Sequence, residues 1–382
     1  MRKWPTIRIA DEFDLQMGKT PARDNPAYWG GDQNWASIAD ISRSGMYLSK
    51  TKETISQTAV DESGIKAVPP DTIVMSFKLS IGRTAITTDR LYTNEAIMAF
   101  LPHNANAFDL HFLYHLFSNR DWSEGCNKAV KGATLNKATL NAARIPKPDI
   151  LEQRTIALTL DKLCGLVEKC DEQLERLDQL VKSRFVEMFG DGKYSERELI
   201  TITNFIDYRG KTPTKSDTGV PLITAKNVRA NGFSIEPREY MPEELFDAWM
   251  TRGFPRAGDV LFTTEAPLGN VCRIPNLYNR FAVGQRIVTM QVNQDILDSA
   301  YLEHALRSEK FRRKIKQKSS GSTVTGIRSK LLERLRIPLP PLALQREFAA
   351  FVVKVDKLAF AARQRRDVAK QLYRAKIQEF LG

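Results

Sequence analysis

The chain has 382 residues, 42% of them apolar, with 21 glycines and 18 prolines, which fits two or three globular domains that each bury a core. No apolar run approaches the roughly 20 residues of a membrane span, and the N-terminal MRKWPTIRIADEFD lacks the apolar core of a signal peptide. The formal net charge of +12 is uneven, with 24 Lys/Arg against 25 Asp/Glu in residues 1–191 and 33 against 20 in residues 192–382; a basic half implies a polyanion, most simply nucleic acid.

Residues 1–147 read as a first globule of mixed α/β character. Strand-like pieces are DTIVMSF (71–77) and AIMAFL (96–101), and FDLHFLYHLFSN (108–119) is helical in pattern. Residues 148–190 read as one long helix. Asp149 after a proline, with Glu152 three residues on, makes an N-cap pattern, and FGDG at 189–192 stops the helix. Its apolar seam steps by four and three through Ile156, Leu160, Leu163, Val167, Cys170, Leu174, Leu177 and Val181, as the core positions of a coiled coil do. About 40 residues at about 1.5 Å each make a rod near 60 Å.

A polar linker, DGKYSER (191–197), leads to a second globule over 198–339. Its strand-like pieces are GDVLFTT (258–264) and RIVTMQV (286–292), and its helical stretch is SAYLEHALRSEKFRRKIK (299–316). The densest basic segment, FRRKIKQKSSGST (311–323), ends in small hydroxyl residues that can approach phosphates. A second long helix over 340–382 has a thinner seam of Phe348, Val352, Val355, Ala359, Ala362, Ala369 and Tyr373, interrupted by Arg366. Residues 149–190 hold nine acids and six bases, whereas 341–382 hold four and nine; this complementarity favours the two helices pairing with each other, antiparallel under a pseudo-twofold.

The two halves repeat one plan. RIPKPDILEQR at 144–154 recurs as RIPLPPLALQR at 336–346, an offset of 192. The same offset carries GKTP at 18–21 onto GKTP at 210–213 and Gly190 onto Gly382. Between these anchors the match is weak, and Asp71-Thr72-Ile73-Val74 resembles Asp259-Val260-Leu261-Phe262 only at a shifted offset. Framework is shared while the middle diverges, which suggests one scaffold carrying two different readers.

Catalytic signatures are not found. A phosphate loop needs a glycine five residues before the GK glycine, where this chain has Phe13 and Phe205, so both GKTP copies read as turns. His111 and His115 have a two-ligand spacing, but no glutamate follows His111, and the aromatic neighbours make them structural; His304 falls on the matching helix of the second half. Val68-Pro69-Pro70-Asp71 lacks the residues of a base-amine methyltransferase loop, and Ser76-Phe77-Lys78 lacks the glutamate of a PD…ExK nuclease. The four cysteines, at 126, 164, 170 and 272, form no CxxC pair and read as reduced thiols of a cytoplasmic protein.

Doubled GKTP, GATL (132–135) and GSTV (321–324) ahead of each rod, and IPKPDILEQR with IPLPPLALQREF together resemble the specificity subunit of Type I restriction–modification systems. KPDI in place of LPPL is a slight departure. The resemblance implies two target-recognition domains, each reading half of a split DNA sequence, joined by two helices that form an antiparallel coiled coil and set the gap. It also implies that two methyltransferase subunits dock on the scaffold and that a motor/nuclease subunit joins for restriction. S-adenosylmethionine, ATP and magnesium would then belong to those partners, and this chain would be non-catalytic.

Lys and Arg supply salt-sensitive phosphate contacts, while polar side chains reach base edges. DNA-binding candidates in the first domain are Lys19, Arg23, Lys50, Lys52, Lys128, Lys131 and Thr134. In the second they are Lys211, Lys215, Lys226, Asn227, Arg229, Arg312, Lys314, Lys318 and Ser322. The other readings are an orphan subunit acting with a methyltransferase only, a coiled-coil scaffold that binds no DNA, and an unrecognised nuclease.

Overall fold

The computed structural model describes residues 4–78, 80–122, 127–129, 132–208, 210, 212–319 and 325–381. Contacts divide the chain into two compact units, Met1–Asp171 with Arg363–Gly382, and Glu172–Ala362. These units cut across the boundaries drawn from sequence, because each takes in the first stretch of one long helix and the last stretch of the other.

In the first unit, strands β1 (Phe13–Met17), β2 (Tyr47–Leu48), β3 (Ile73–Ser76), β4 (Thr84–Thr87) and β5 (Ile97–Pro102) form one sheet in the order β1-β5-β3-β4-β2. Ile73, Val74 and Met75 of β3 and Ile97 to Phe100 of β5 are all buried, so these central strands read as continuous apolar runs rather than alternating ones. Helix α1 (Leu110–Asn119) is capped by Asp109, whose carboxylate accepts from Phe112 N at 2.9 Å. It sends Phe112, Leu113, Leu116 and Phe117 into a core with Phe13, Met75 and Phe100. Helix α2 (Ile150–Phe189) starts where the sequence expects it, with Asp149 Oδ1 accepting from the N–H groups of Leu151 and Glu152, both at 3.0 Å.

The second unit repeats the frame. Strands β6 (Thr203–Asp207), β7 (Val260–Thr263), β8 (Val271–Arg273) and β9 (Ile287–Val292) form a sheet in the order β6-β9-β7-β8. Helix α3 (Ser299–Arg307) corresponds to α1. Helix α4 (Glu309–Lys318) follows it, where the first half has the hairpin Asn127–Ala129/Gly132–Thr134. Helix α5 (Leu342–Phe380) closes the chain.

Strand pairing gives the repeat's true register. Phe13 pairs with Pro102 and Thr203 with Val292, while Ile73 pairs with Phe100 and Val260 with Met290. Ile73 therefore corresponds to Val260, one residue away from the match of Asp71 with Asp259 read from sequence. A one-residue slip would exchange the faces of the strand, so the fold selects the other register.

Within each unit the long helices pack antiparallel along the seam. Arg366 Nη1 reaches Asp171 Oδ1 at 3.0 Å in the first unit, and the rings of Phe185 and Phe348 lie 5.4 Å apart in the second. Ile156, Leu160, Cys170, Val181, Phe348, Val352, Val355, Ala359, Ala362 and Ala369 are buried; Leu163, Val167, Leu174, Leu177 and Tyr373 are half-buried. Arg366 keeps its place in this row by pairing with Asp171 and Asp367. His111 and His115 both contact Asp161 of α2, at 2.6 and 2.7 Å, and Tyr373 and Tyr47 complete the chain of hydrogen bonds. Burial pushes the His115 imidazole below its ordinary value, although Asp161 opposes this. Among the described residues, no helix is long and apolar enough to cross a membrane.

Candidate nucleic-acid interface

The first GKTP loop is shaped by close approach. A Cβ on Gly18 would lie 2.2 Å from the Thr93 carbonyl oxygen, so only glycine lets the loop meet that strand. Lys19 N–H donates to Thr93 O at 2.8 Å, Lys19 Nζ donates to Ser63 O, and the Thr20 hydroxyl donates to Glu95. The second copy repeats the last contact, with the Thr212 hydroxyl donating to Gln285 Oε1 at 3.3 Å. Each of these threonine contacts ties its loop to the strand segment before β5 or β9.

Arg23 follows the first loop and is held twice. Its guanidinium donates to Glu53 at 2.6 and 3.1 Å and lies 3.7 Å from the centroid of Trp29. The hydrogen bond from Arg23, opposed by some burial, holds the Glu53 carboxyl below its usual range. Lys50 and Lys52 are exposed beside a shallow cavity of about 380 Å³ that Arg43, Ser49 and Tyr47 also line. Asp40 organises that loop, accepting from Ser37 N at 2.9 Å, Ser37 Oγ at 2.6 Å, Lys52 N at 3.0 Å and Arg43 at 2.8 Å. Burial pushes Asp40 up, but these donors hold it below the ordinary carboxylate range.

In the second unit, Lys215 and Lys226 both pair with Glu239, at 2.8 and 3.0 Å. Burial raises Glu239, and the two ammonium groups bring it below its usual value. Arg229 is exposed at the end of the strand Val228–Arg229. On α4, Phe311 and Ile315 face the core while Arg312, Lys316 and Lys318 are exposed. None of these three has an ion pair among the described residues.

Two expected DNA contacts are spent inside the fold. Asn227 is only 4% exposed; its Nδ2 donates to Ser234 O and Pro237 O, each at 3.0 Å, and its Oδ1 accepts from Thr224 N at 2.9 Å. Lys314 donates to both oxygens of Glu196, at 3.0 and 2.9 Å, and to Arg336 O at 2.7 Å. It joins α4 to the strand pair of Glu196–Glu198 with Arg336–Pro338. Lys131, Lys211 and Ser322 lie outside the described residues, as does Cys126. Lys128 and Thr134 sit in the hairpin, but their side chains are not among those described.

Sequence reading passed over Trp29 and Glu53, which fix Arg23. The signal was faint, since Glu53 lies more than 30 residues beyond GKTP and nothing local marks Trp29 as a neighbour of Arg23. It also passed over the buried ionic group of Glu303 with Arg273 and Arg307, at 2.7 and 3.2 Å. Burial pushes Glu303 up, and the arginines pull it below its ordinary value.

The model of the Type I restriction modification DNA specificity domain matches residues 1–176 and 198–370. Among relatives, the Type I restriction enzyme MjaIX specificity subunit of Methanocaldococcus jannaschii is 28% identical over 210 residues, 54% of this chain and 48% of that subunit. The MjaVIII specificity subunit of the same organism is 21% identical over 95% of this chain and 88% of its own length. The chain thus spans about half of the first relative and most of the second. The crystal structure of the S subunit from M. genitalium superposes with a TM-score of 0.60 at 15% identity, covering 100% of this chain and 96% of that one. A chain from a type I R-M system, solved to explain complex assembly and conformational transition, gives a TM-score of 0.58 at 18% identity, with 98% and 97% coverage. Both halves of this chain, with their GKTP segments and paired seam helices, match one domain model, and the chain belongs to the Type I restriction–modification DNA specificity family.

Proposed function

We propose that this chain is the DNA-reading subunit of a Type I restriction–modification complex, non-catalytic itself, with each globule recognising one half of a bipartite duplex site. The observation that carries this reading is the match of one DNA specificity domain model to both halves, on frames that repeat while their loops and charges differ. The free cations of α4 supply phosphate contacts in the second half; Lys50 and Lys52 do so in the first. The coiled coil acts as spacer and as docking scaffold for two methyltransferase subunits, with a motor/nuclease subunit joining for restriction in the cytoplasm. S-adenosylmethionine, ATP and magnesium serve those partners.

Methylation mapping tests this. DNA from cells carrying the chain with a partner methyltransferase should acquire methyl groups at one split sequence, and deletion of this chain should abolish them. Methylation that persists unchanged without the chain would overturn the proposal.

A further inference from the structure

The second residue after each GKTP motif is a cation, Arg23 in one half and Lys215 in the other. Each is held by a carboxylate from a different segment of its own unit, Glu53 for Arg23 and Glu239 for Lys215. The first half adds a stacking surface. Beyond Trp29, the Trp35 ring centroid lies 4.9 Å from the guanidinium carbon, and the two indoles meet edge to face with centroids 5.1 Å apart. Trp29 Nε1 donates to Ala22 O and Trp35 Nε1 to Lys19 O, both at 3.1 Å, so the indoles pin the loop on either side of Thr20-Pro21.

The guanidinium plane is therefore fixed by a stacked ring and by a carboxylate. Glu53 occupies the end of the fork formed by Nη1 and Nη2, which leaves the Nε–H edge turned away from it. The side chain is still 52% exposed. An exposed ion pair adds little to stability, whereas a planar donor fork held rigid loses less entropy when it makes a two-point contact. The partner that suits such a fork on a duplex is guanine, whose O6 and N7 accept side by side in the major groove.

We propose that Arg23 is a base-reading residue that recognises a guanine in the half-site of the first unit, with Glu53 and Trp29 as positioning residues. This rests on the DNA-reading function above and adds which side chain reads which base. The lysine at the matching place in the second half is a point charge with rotatable donors, so the same position writes a different specificity there.

The test is selection of bound sequences by the full chain from duplexes carrying a randomised tract. Wild type should enrich a consensus with a guanine in one tract. Arg23→Ala should lose that single preference by about 5- to 150-fold, the worth of a good bidentate contact, while every other position is retained. Arg23→Lys should keep overall affinity and weaken the same position, and Glu53→Gln should weaken it partly. Thermal denaturation checks folding; if Arg23→Ala does not fold, the other two variants carry the test. A uniform loss at all positions with a shallower salt dependence would make Arg23 a phosphate contact and overturn the proposal, as would an unchanged consensus. A wild-type chain that enriches no sequence would overturn both this assignment and the DNA-reading function.

Discussion

The side-chain oxygen of Gln153 accepts the backbone N–H of Asp109 at 2.9 Å, and Gln345 does the same for Asp298 at 2.8 Å. Each glutamine also donates through Nε2 to the proline carbonyl of its own motif, Pro148 O at 2.9 Å and Pro340 O at 2.8 Å. A third bond reaches the loop before the capped helix, Ala107 O at 3.3 Å and Ile296 O at 3.0 Å. The repeated glutamine thus locks a globule to the first turn of its long helix, and both are buried, at 1% and 0% exposure. This is the physical reason for the recurring Pro-x-x-x-x-Gln phrase.

Removing either glutamine leaves a buried N–H and two carbonyls without partners. Gln153→Ala and Gln345→Ala are each expected to cost about 1–3 kcal/mol or more, read as a lower urea midpoint. A change below about 0.5 kcal/mol, the range of ordinary surface substitutions, would mean that water replaces the amide without cost.

Charge on α4 divides into structural and free groups. Neutralising Arg312, Lys316 and Lys318 together should flatten the slope of log affinity against log salt by up to about three phosphate contacts. Lys314→Gln should act instead on stability, because it removes one of the two ammonium partners of Glu196, leaving Lys310, and the bond to Arg336 O. An unchanged salt slope in the triple variant would place this face away from DNA.

Acid should weaken the second unit through His304. Burial pushes its imidazole down to about 4 from an ordinary 6.5, with Glu303 opposing the shift and Arg307 and Arg273 adding to it. The unfolded chain takes up the proton first, so stability is full above pH 6.5 and falls as the pH drops towards 4. The loss from this group is at most about 3 kcal/mol. His304→Leu should flatten this part of the pH profile in urea titrations, and a wild-type profile flat between pH 6.5 and 4 would contradict the burial of a neutral ring.

Much of this was legible in the chain because the repeat preserves residues that the frame cannot do without. Gln153 must satisfy Asp109 and Gln345 must satisfy Asp298, so the glutamine recurs at a constant offset. The glycine recurs for two different reasons, a close approach to Thr93 at Gly18 and a φ of +96° at Gly210. The seam was legible from its steps of four and three, and Arg366, which looked like an interruption, is accommodated by Asp171. The strand register was not legible, since loops of different length shift the offset and buried strands carry no alternation. Asn227 and Lys314 looked like free polar groups because nothing local announces partners such as Pro237 and Glu196. The same limit hid Glu53, whose role depends on folding the strand Glu53–Ile55 back towards the GKTP loop.

The central claim is that one chain joins two readers by a helical spacer, and helix length tests it most directly. One heptad is inserted immediately after Asp171 and another immediately before Arg366, the facing pair at 3.0 Å, so that the seam stays in phase. Each insertion adds about 10 Å of helix, or roughly three base pairs at about 3.4 Å each. Methylation mapping with the partner subunits should then show both specific tracts unchanged and the unread gap between them longer by about two to four base pairs. The original gap retained at full activity would contradict the account.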